Sequence, residues 1–100
     1  MSTIFTIQFD YNHAISQAKE LERLADRIES NVVKKMDGVA DDLNAAWKGE
    51  SAGNYIRKEQ QLRDQIKQTA RELRDTAADI RRVAKRLYDA EMEAIRIAQE

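Results

Sequence analysis

Two long stretches with helical periodicity lie on either side of a short break, and this division limits the fold more than any other feature. The break, AAWKGESAG, covers residues 45–53 and holds the only Trp and two of the three glycines. A Gly just past a helix end, as Gly49 is expected to be, can turn left-handed without a Cβ clash, and the Ser51 hydroxyl suits the first free N–H groups of a following helix. The sequence therefore predicts helix one, a turn over residues 48–51, and helix two.

Helix one is predicted over residues 11–47. Its apolar residues are spaced three and four apart and cover about half of the circumference, more than a two-stranded seam needs. Part of this stripe therefore remains uncovered by helix two, and we expect it to contact a second chain. The predicted interface residues are Leu21, Leu24, Ile28, Val32, Val39 and Leu43.

Helix two is predicted over residues 52–95, with a heptad-like apolar register that Glu59 interrupts. No helix cap follows it, so we expect residues 96–100 to fray. Three alanines seven residues apart are expected to lie beside the seam and to allow close packing. These alanines are Ala70, Ala77 and Ala84. The apolar register itself consists of Ala52, Tyr55, Leu62, Ile66, Thr69, Leu73, Thr76, Ile80, Val83 and Leu87.

The first residues of the chain are rich in β-branched and aromatic side chains. This composition, with alternating Ile7 and Phe9, predicts an extended arm over residues 1–10 that is too short to form a sheet alone. Either Asp10 or Asn12 is then expected to cap helix one.

A hairpin of two such helices buries too little surface to offset its conformational entropy. Two hairpins packed back to back solve this problem by forming an antiparallel four-helix bundle. We therefore expect a single all-α domain, an antiparallel helix-turn-helix hairpin, which pairs into a four-helix bundle. A two-fold symmetric pair and a heterologous partner of the same shape are both compatible with this argument.

The charge balance argues against a nucleic-acid or lipid partner. Lys and Arg number 17 and Asp and Glu number 18, giving a formal net charge of −1. No apolar run approaches the roughly 20 residues that span a bilayer, so no stable membrane insertion is expected. The N-terminus does not match a secretory signal peptide. We expect a protein that stays in the cytosol or leaves it by a route that does not read such a peptide.

No constellation of residues predicts a catalytic, cofactor-binding or metal site. His13 is the only His and the chain has no Cys, so thiolate and multi-His metal sites are excluded. The carboxylates of Asp37 and Asp41 and the basic residues at 81–86 are interpreted as solvated surface charges. We therefore expect neither an enzyme nor a cofactor.

The central motif Trp47-Lys48-Gly49 resembles that of the WXG family, the Esx-like substrates of bacterial type VII secretion. The resemblance extends over the whole chain: its length, the central motif, a long helical pattern on each side, and no Pro or Cys. It implies a helical hairpin that forms a homodimer or a heterodimer with another WXG-like or LXG-type protein. It also implies export by a machinery with a membrane ATPase, and no enzymatic activity.

Many members of the family carry a C-terminal Tyr-x-x-x-Asp/Glu export signal. In this chain Tyr88 is suitably placed, but the residue four positions later is Met92, between Glu91 and Glu93. These four residues form a candidate export signal that departs from the family pattern. The departure leaves the role of Tyr88 in export open, and the family offers no counterpart for the N-terminal arm.

We interpret the chain as a type VII secretion substrate or an effector-targeting partner that acts by protein–protein interaction. It would be secreted without a signal peptide from a cytoplasmic pool. The alternative is a cytosolic helical adaptor or chaperone unrelated to secretion.

Overall fold

The computed structural model describes a helical chain. It covers the backbone of residues 3–46 and 50–100 and the side chains of residues 3–42 and 53–100. No strand occurs in this part of the chain, which confirms the all-α fold class and a hairpin of two long helical segments. The pairing into a four-helix bundle stays a prediction. The elements are α1 (Ile4–Arg27), a π-helical turn (Ile28–Val33), α2 (Lys34–Ala46) and α3 (Glu50–Ala98).

Helix α1 begins at Ile4, so the prediction of an extended arm is wrong for residues 4–10. Thr3 caps the helix, because its Oγ1 accepts the backbone N–H of Thr6 at 3.1 Å. Neither Asp10 nor Asn12 starts the helix, since both lie inside α1. The segment is helical because this conformation buries Ile7 against α3, and the free energy gained by that burial outweighs the β propensity of the segment.

Helix α3 is longer at both ends than the predicted helix two. It includes Glu50 and Ser51, which the sequence analysis assigns to the turn, and it continues to Ala98 where a frayed tail is expected. Arg96 explains the longer C-terminal end, because it forms ion pairs with Glu93 and Glu100, three and four residues away.

Contacts divide the chain into two compact units. The first joins the chain up to Glu22 with Arg74–Glu100. Here the start of α1 runs antiparallel to the end of α3, because Tyr11 contacts Tyr88 while Glu22 pairs with Arg81. The seam between the two helices buries Ile7, Ala18, Ala77 and Ala84.

The second unit is Arg23–Leu73. Its two helical segments are also antiparallel, with Asp37 paired to Arg63 at 2.8 Å. The buried residues among those described in this unit are Ala25, Val33, Ala40, Ala70 and the carboxylate-bearing Glu59.

Alanines at the centre of both seams are the main departure from the expected packing. Among the described residues, the buried apolar side chains are six alanines with Ile7 and Val33. The alanines of α3 therefore form the seam itself, whereas they were predicted to lie beside it. Small side chains let two helices approach closely, but one buried methyl group contributes only about 0.8 kcal/mol. The seam is thus close-packed and energetically modest.

The π-helical turn keeps the seam residues of the second unit on one face. Ala25 and Val33 are eight residues apart, whereas Val33 and Ala40 are seven apart. In a regular α-helix, eight residues overshoot two full turns by about 80°, and seven fall short by about 20°. The wider turn at Ile28–Val33 absorbs the extra residue. It therefore brings Val33 to the seam and leaves Val32 exposed.

Replacing Ala77 by Leu tests the close packing of the seam. We expect Ala77→Leu to lower the free energy of unfolding by about 1 to 3 kcal/mol, because the added atoms have no room between the helices. The neighbouring Ala78 is exposed, so Ala78→Leu is the matched control and should change stability by about 0.5 kcal/mol or less. Urea denaturation measures both. Equal stability of the two variants would contradict close packing at Ala77.

Deleting Asn31, an exposed residue of the π-helical turn, tests the role of that turn. The deletion shortens the spacing from Ala25 to Val33 to the regular seven, so we expect unchanged or higher stability. Deleting the exposed Lys67 from α3 is the control, because it moves Arg71 to the seam position of Ala70. This deletion should lower the free energy of unfolding by about 3 kcal/mol or more. Urea denaturation compares the two. A larger loss on deleting Asn31 than on deleting Lys67 would show that the turn does not correct the register.

Candidate protein-interaction surface

Large apolar side chains lie outside the seams in both units. In the second unit, Leu24, Val32 and Val39 are exposed, and they belong to the interface predicted from the sequence. Two further members of that set, Leu21 and Ile28, are half-buried. The sixth, Leu43, lies in α2, but its side chain is outside the described residues. On the described part of α3 the exposed large apolar residues are Tyr55, Leu62, Val83, Leu87 and Ile97.

Val32 and Val39 come together with α3 in an apolar groove of about 490 Å³. We call this groove the α2–α3 groove. Its position follows from the helical spacing, because residues three or four apart share one face of a helix and Tyr55 and Leu62 are seven apart. Its lining consists of Val32, Lys35, Met36, Val39, Tyr55, Lys58, Glu59 and Leu62.

Beside this groove lies an ionic cluster that joins the two helical segments. The guanidinium of Arg63 contacts Oδ1 of Asp37 at 2.8 Å and donates a hydrogen bond to Oε2 of Glu59 at 3.0 Å. The bond to Glu59 raises the pKa of Arg63, with a further contribution from the charge of Asp37. The sequence analysis identified Glu59 only as an interruption, because a contact between separate helices leaves no mark in local spacing.

Tyr88 of the candidate export signal lies in a cluster of its own in the first unit. Its ring contacts that of Tyr11 at 5.0 Å between centroids. The Nζ of Lys85 lies 5.9 Å from the centre of the Tyr88 ring and donates a hydrogen bond to Oδ1 of Asp89 at 2.7 Å. This hydrogen bond raises the pKa of Lys85, so its charge over the ring is retained at neutral pH.

The other residues of the candidate export signal differ in exposure. Glu91 and Met92 are half-buried, whereas Glu93 is exposed and pairs with Arg96. The hydrogen bond from Arg96 lowers the pKa of Glu93. Of these four residues, Tyr88 is the one that has both a ring contact and a cation over its ring. The motif Trp47-Lys48-Gly49 lies outside the described residues.

An exposed row of rings lies on the first turns of α1. Phe5 stacks on Phe9 at 6.4 Å between centroids, and Phe9 stacks on His13 at 6.2 Å. Both phenyl rings are exposed. This row was not predicted because the segment was interpreted as extended. Its three rings are four residues apart, which is the spacing of one helix face.

Several of the charged residues singled out in the sequence form ion pairs. Arg81 pairs with Glu22, Arg82 with Asp79, and Lys85 with Asp89. In the part of the chain that the structure describes, no three potential metal ligands cluster. None of the described helices is long and apolar enough to cross a membrane.

Comparison with known proteins gives a family match that covers most of the chain. The model described as "WXG100: Proteins of 100 residues with WXG" matches residues 6–92. The chain belongs to the WXG100 family. This family is linked to type VII secretion substrates, and its members typically dimerise and are not typically enzymes. No significant match is found among curated proteins or solved structures.

The family match includes residues that the sequence analysis separated from the hairpin. Residues 6–10 fall within the match and within α1, so the segment read as an extended arm is part of the WXG100 region. Tyr88 and Tyr11 also lie inside the matched range. Both sides of the Tyr11–Tyr88 contact therefore belong to the family's own region of this chain.

Proposed function

We propose that this WXG100 protein is a type VII secretion substrate or an effector-targeting partner that acts by protein–protein interaction. The observation that carries the proposal is the distribution of apolar side chains. The seams bury mostly methyl groups, while Val, Leu and Tyr side chains of both units remain exposed. This is the opposite of what a self-sufficient monomer requires, because large buried side chains supply most of a core's stability.

A second hairpin would cover these side chains. Fully burying one Val or Leu contributes about 1.5 to 3 kcal/mol, so a few such residues provide more than the alanines of a seam. Packing two hairpins side by side produces a four-helix bundle, in which facing helices share the apolar residues. The proposed partner is a second copy or another WXG-like or LXG-type helical protein.

Tyr88 is the proposed contact with the secretion machinery and its ATPase. A half-buried ring with an ammonium group above it and a carboxylate beside that group offers both apolar and polar contacts. The protein would form a cytoplasmic pool, pair there, and then be secreted.

The proposed pairing predicts that a charge at Val32 blocks export. Val32→Asp places a carboxylate where the partner would bury it, so we expect at least a tenfold loss of secreted protein. Asn31→Asp is the control, because Asn31 is the exposed neighbour in the same turn and is almost identical in shape to Asp. The measurement is the amount of tagged protein in the culture medium of a type VII-competent host, with cross-linking in cells to detect the pair. Normal export and cross-linking of Val32→Asp would contradict the proposal.

The proposed role of Tyr88 predicts different effects for the two rings of one contact. Tyr88→Ala should abolish export, whereas Tyr11→Ala removes the same ring contact and should remain exported. The comparison separates recognition of Tyr88 from loss of packing. Each variant is measured in the type VII-competent host and in the same host without the ATPase. Export of the unmodified protein without the ATPase would exclude type VII secretion, and equal export of both variants would exclude a recognition role for Tyr88.

A further inference from the structure

The α2–α3 groove carries two positive charges that no described carboxylate balances. Lys35 belongs to α2 and Lys58 to α3, so each helical wall of the groove holds one ammonium group. Both lysines are exposed, and neither has an ion pair among the described residues. The third charged residue of the lining, Glu59, is buried and already pairs with Arg63. The groove is therefore apolar, with a basic group on each side.

The excess negative charge of the ionic cluster lies outside this groove. Asp37 and Glu59 share the single guanidinium of Arg63. Of these two carboxylates, that of Asp37 lines a separate cavity of about 520 Å³, together with Arg63 and Asp41. This cavity and the α2–α3 groove have no lining residue in common. A ligand in the groove therefore meets the two lysines and not the carboxylates of Asp37 and Asp41.

The length of the groove matches two turns of a helix. Val32 and Val39 are seven residues apart on one wall, and Tyr55 and Leu62 are seven apart on the other. Seven residues of helix span about 10 Å, so a partner helix in the groove places apolar side chains there at positions i, i+3 or i+4, and i+7. The residues on both sides of that stripe then face the walls that carry the lysines.

We propose that the α2–α3 groove binds one amphipathic helix of a heterologous partner, and that carboxylates on both sides of its apolar stripe pair with Lys35 and Lys58. Covering the groove removes side chains such as Val39 and Leu62 from water, which supplies most of the affinity. The ion pairs add less affinity, but they favour an acidic partner over a basic one. The inference rests on the proposed function, since it specifies the chemistry of the partner in the pairing described above.

Charge disfavours two arrangements in which a second copy occupies the groove. In a two-fold contact both copies present the same groove, so ammonium groups face ammonium groups. Alternatively, a second copy presents the exposed apolar residues Val83 and Leu87 of α3. Residues 79–89, which include them, contain four basic and two acidic residues, so this segment also brings a net positive charge to the lysines.

The exposed Leu24 of α1 marks a third surface that a second copy can present. Carboxylates occur near Leu24 in the sequence, but they already have interactions within the chain. Glu22 pairs with Arg81, and Glu20, Asp26 and Glu29 are also engaged. A heterologous helix with uncommitted carboxylates therefore fits the lysines better than this surface does.

Matched helical peptides test the proposal with the full-length protein. Three amphipathic peptides share one Leu stripe and carry Glu, Gln or Lys at every position that flanks it. We expect the Glu peptide to bind about fivefold more tightly than the Gln peptide by calorimetry, and the Lys peptide to bind more weakly than both. The difference between the Glu and Gln peptides should fall below about twofold in 1 M salt, which screens exposed charges.

Two double variants identify the charges responsible for the preference. Lys35→Gln combined with Lys58→Gln should reduce the preference for the Glu peptide to less than about twofold, while binding of the Gln peptide persists. Lys34→Gln combined with Lys67→Gln is the control, because it removes the same charge from the same two helices. Lys34 and Lys67 are exposed and lie outside the lining of the groove, so this variant should keep the full preference.

A second measurement uses the unmodified protein and shows where the peptide binds. Met36 lines the groove, whereas Met92 lies outside it. In protein with ¹³C-labelled methionine methyl groups, the signal of Met36 should shift on addition of the Glu peptide and that of Met92 should stay in place. Circular dichroism checks that the double variants are folded. If they are not, the methyl signals and the salt dependence of the unmodified protein decide.

Several results would overturn the inference. They are equal or tighter binding of the Gln or Lys peptide, no binding of the Glu peptide at millimolar concentration, a methyl signal of Met36 that does not shift, and a Glu preference that persists in the folded variant without Lys35 and Lys58. Self-association that requires these two lysines would overturn it by assigning the groove to a second copy. All these measurements are independent of export. Their failure with ATPase-dependent export intact would overturn the inference alone, whereas loss of that dependence would overturn the proposed function.

Discussion

Close contact between helices through alanine determines where most of the larger apolar side chains lie. A methyl group such as that of Ala77 fills a buried seam position, and we expect a larger side chain at the same position to be overpacked. Apart from Ile7 and Val33, the larger described apolar residues therefore lie on the flanks of each unit, half-buried like Ile80 or exposed like Leu62. A seam of this kind fixes the distance between the helices but contributes little hydrophobic stabilisation. The exposed apolar surface that a partner can contact is thus a direct result of the packing inside the chain.

The same constraint explains the two irregular features of the second unit. Keeping Ala25, Val33 and Ala40 on one face requires a helix with an extra residue, and the π-helical turn provides it. Seven residues before Ala70 the alanine pattern of α3 is broken by Arg63, whose guanidinium pairs with the buried carboxylate of Glu59. Both features lie beside the α2–α3 groove, to which Val32 and Glu59 each contribute a wall.

Periodicity in the sequence was enough to predict the fold class, but not which apolar stripe faces which neighbour. Ala77 and Val83 both belong to repeats of seven, and only the structure shows that the first is buried and the second exposed. The start of α1 was misread because intrinsic propensity was applied to Ile4–Phe9 without the burial of Ile7. The contact between Asp37 and Arg63 depends on the pairing of two helices, about which local spacing carries no information. The family resemblance, by contrast, needed only the central motif, the length and the composition.

The ionic cluster also favours one register of the two helical segments in the second unit, which the alanines do not do. Alanines seven residues apart are interchangeable, so a shift of one helix by seven residues, about 10 Å, places methyl groups against methyl groups again. The same shift places Ile56 or Ala70 opposite Asp37 in place of Arg63, so the ion pair between the two helical segments is lost. Loss of the contact between Asp37 and Arg63 therefore disfavours the shifted register relative to the observed one. Hydrophobic contacts thus favour pairing of the helices, and the charged residues select the register in which they pair.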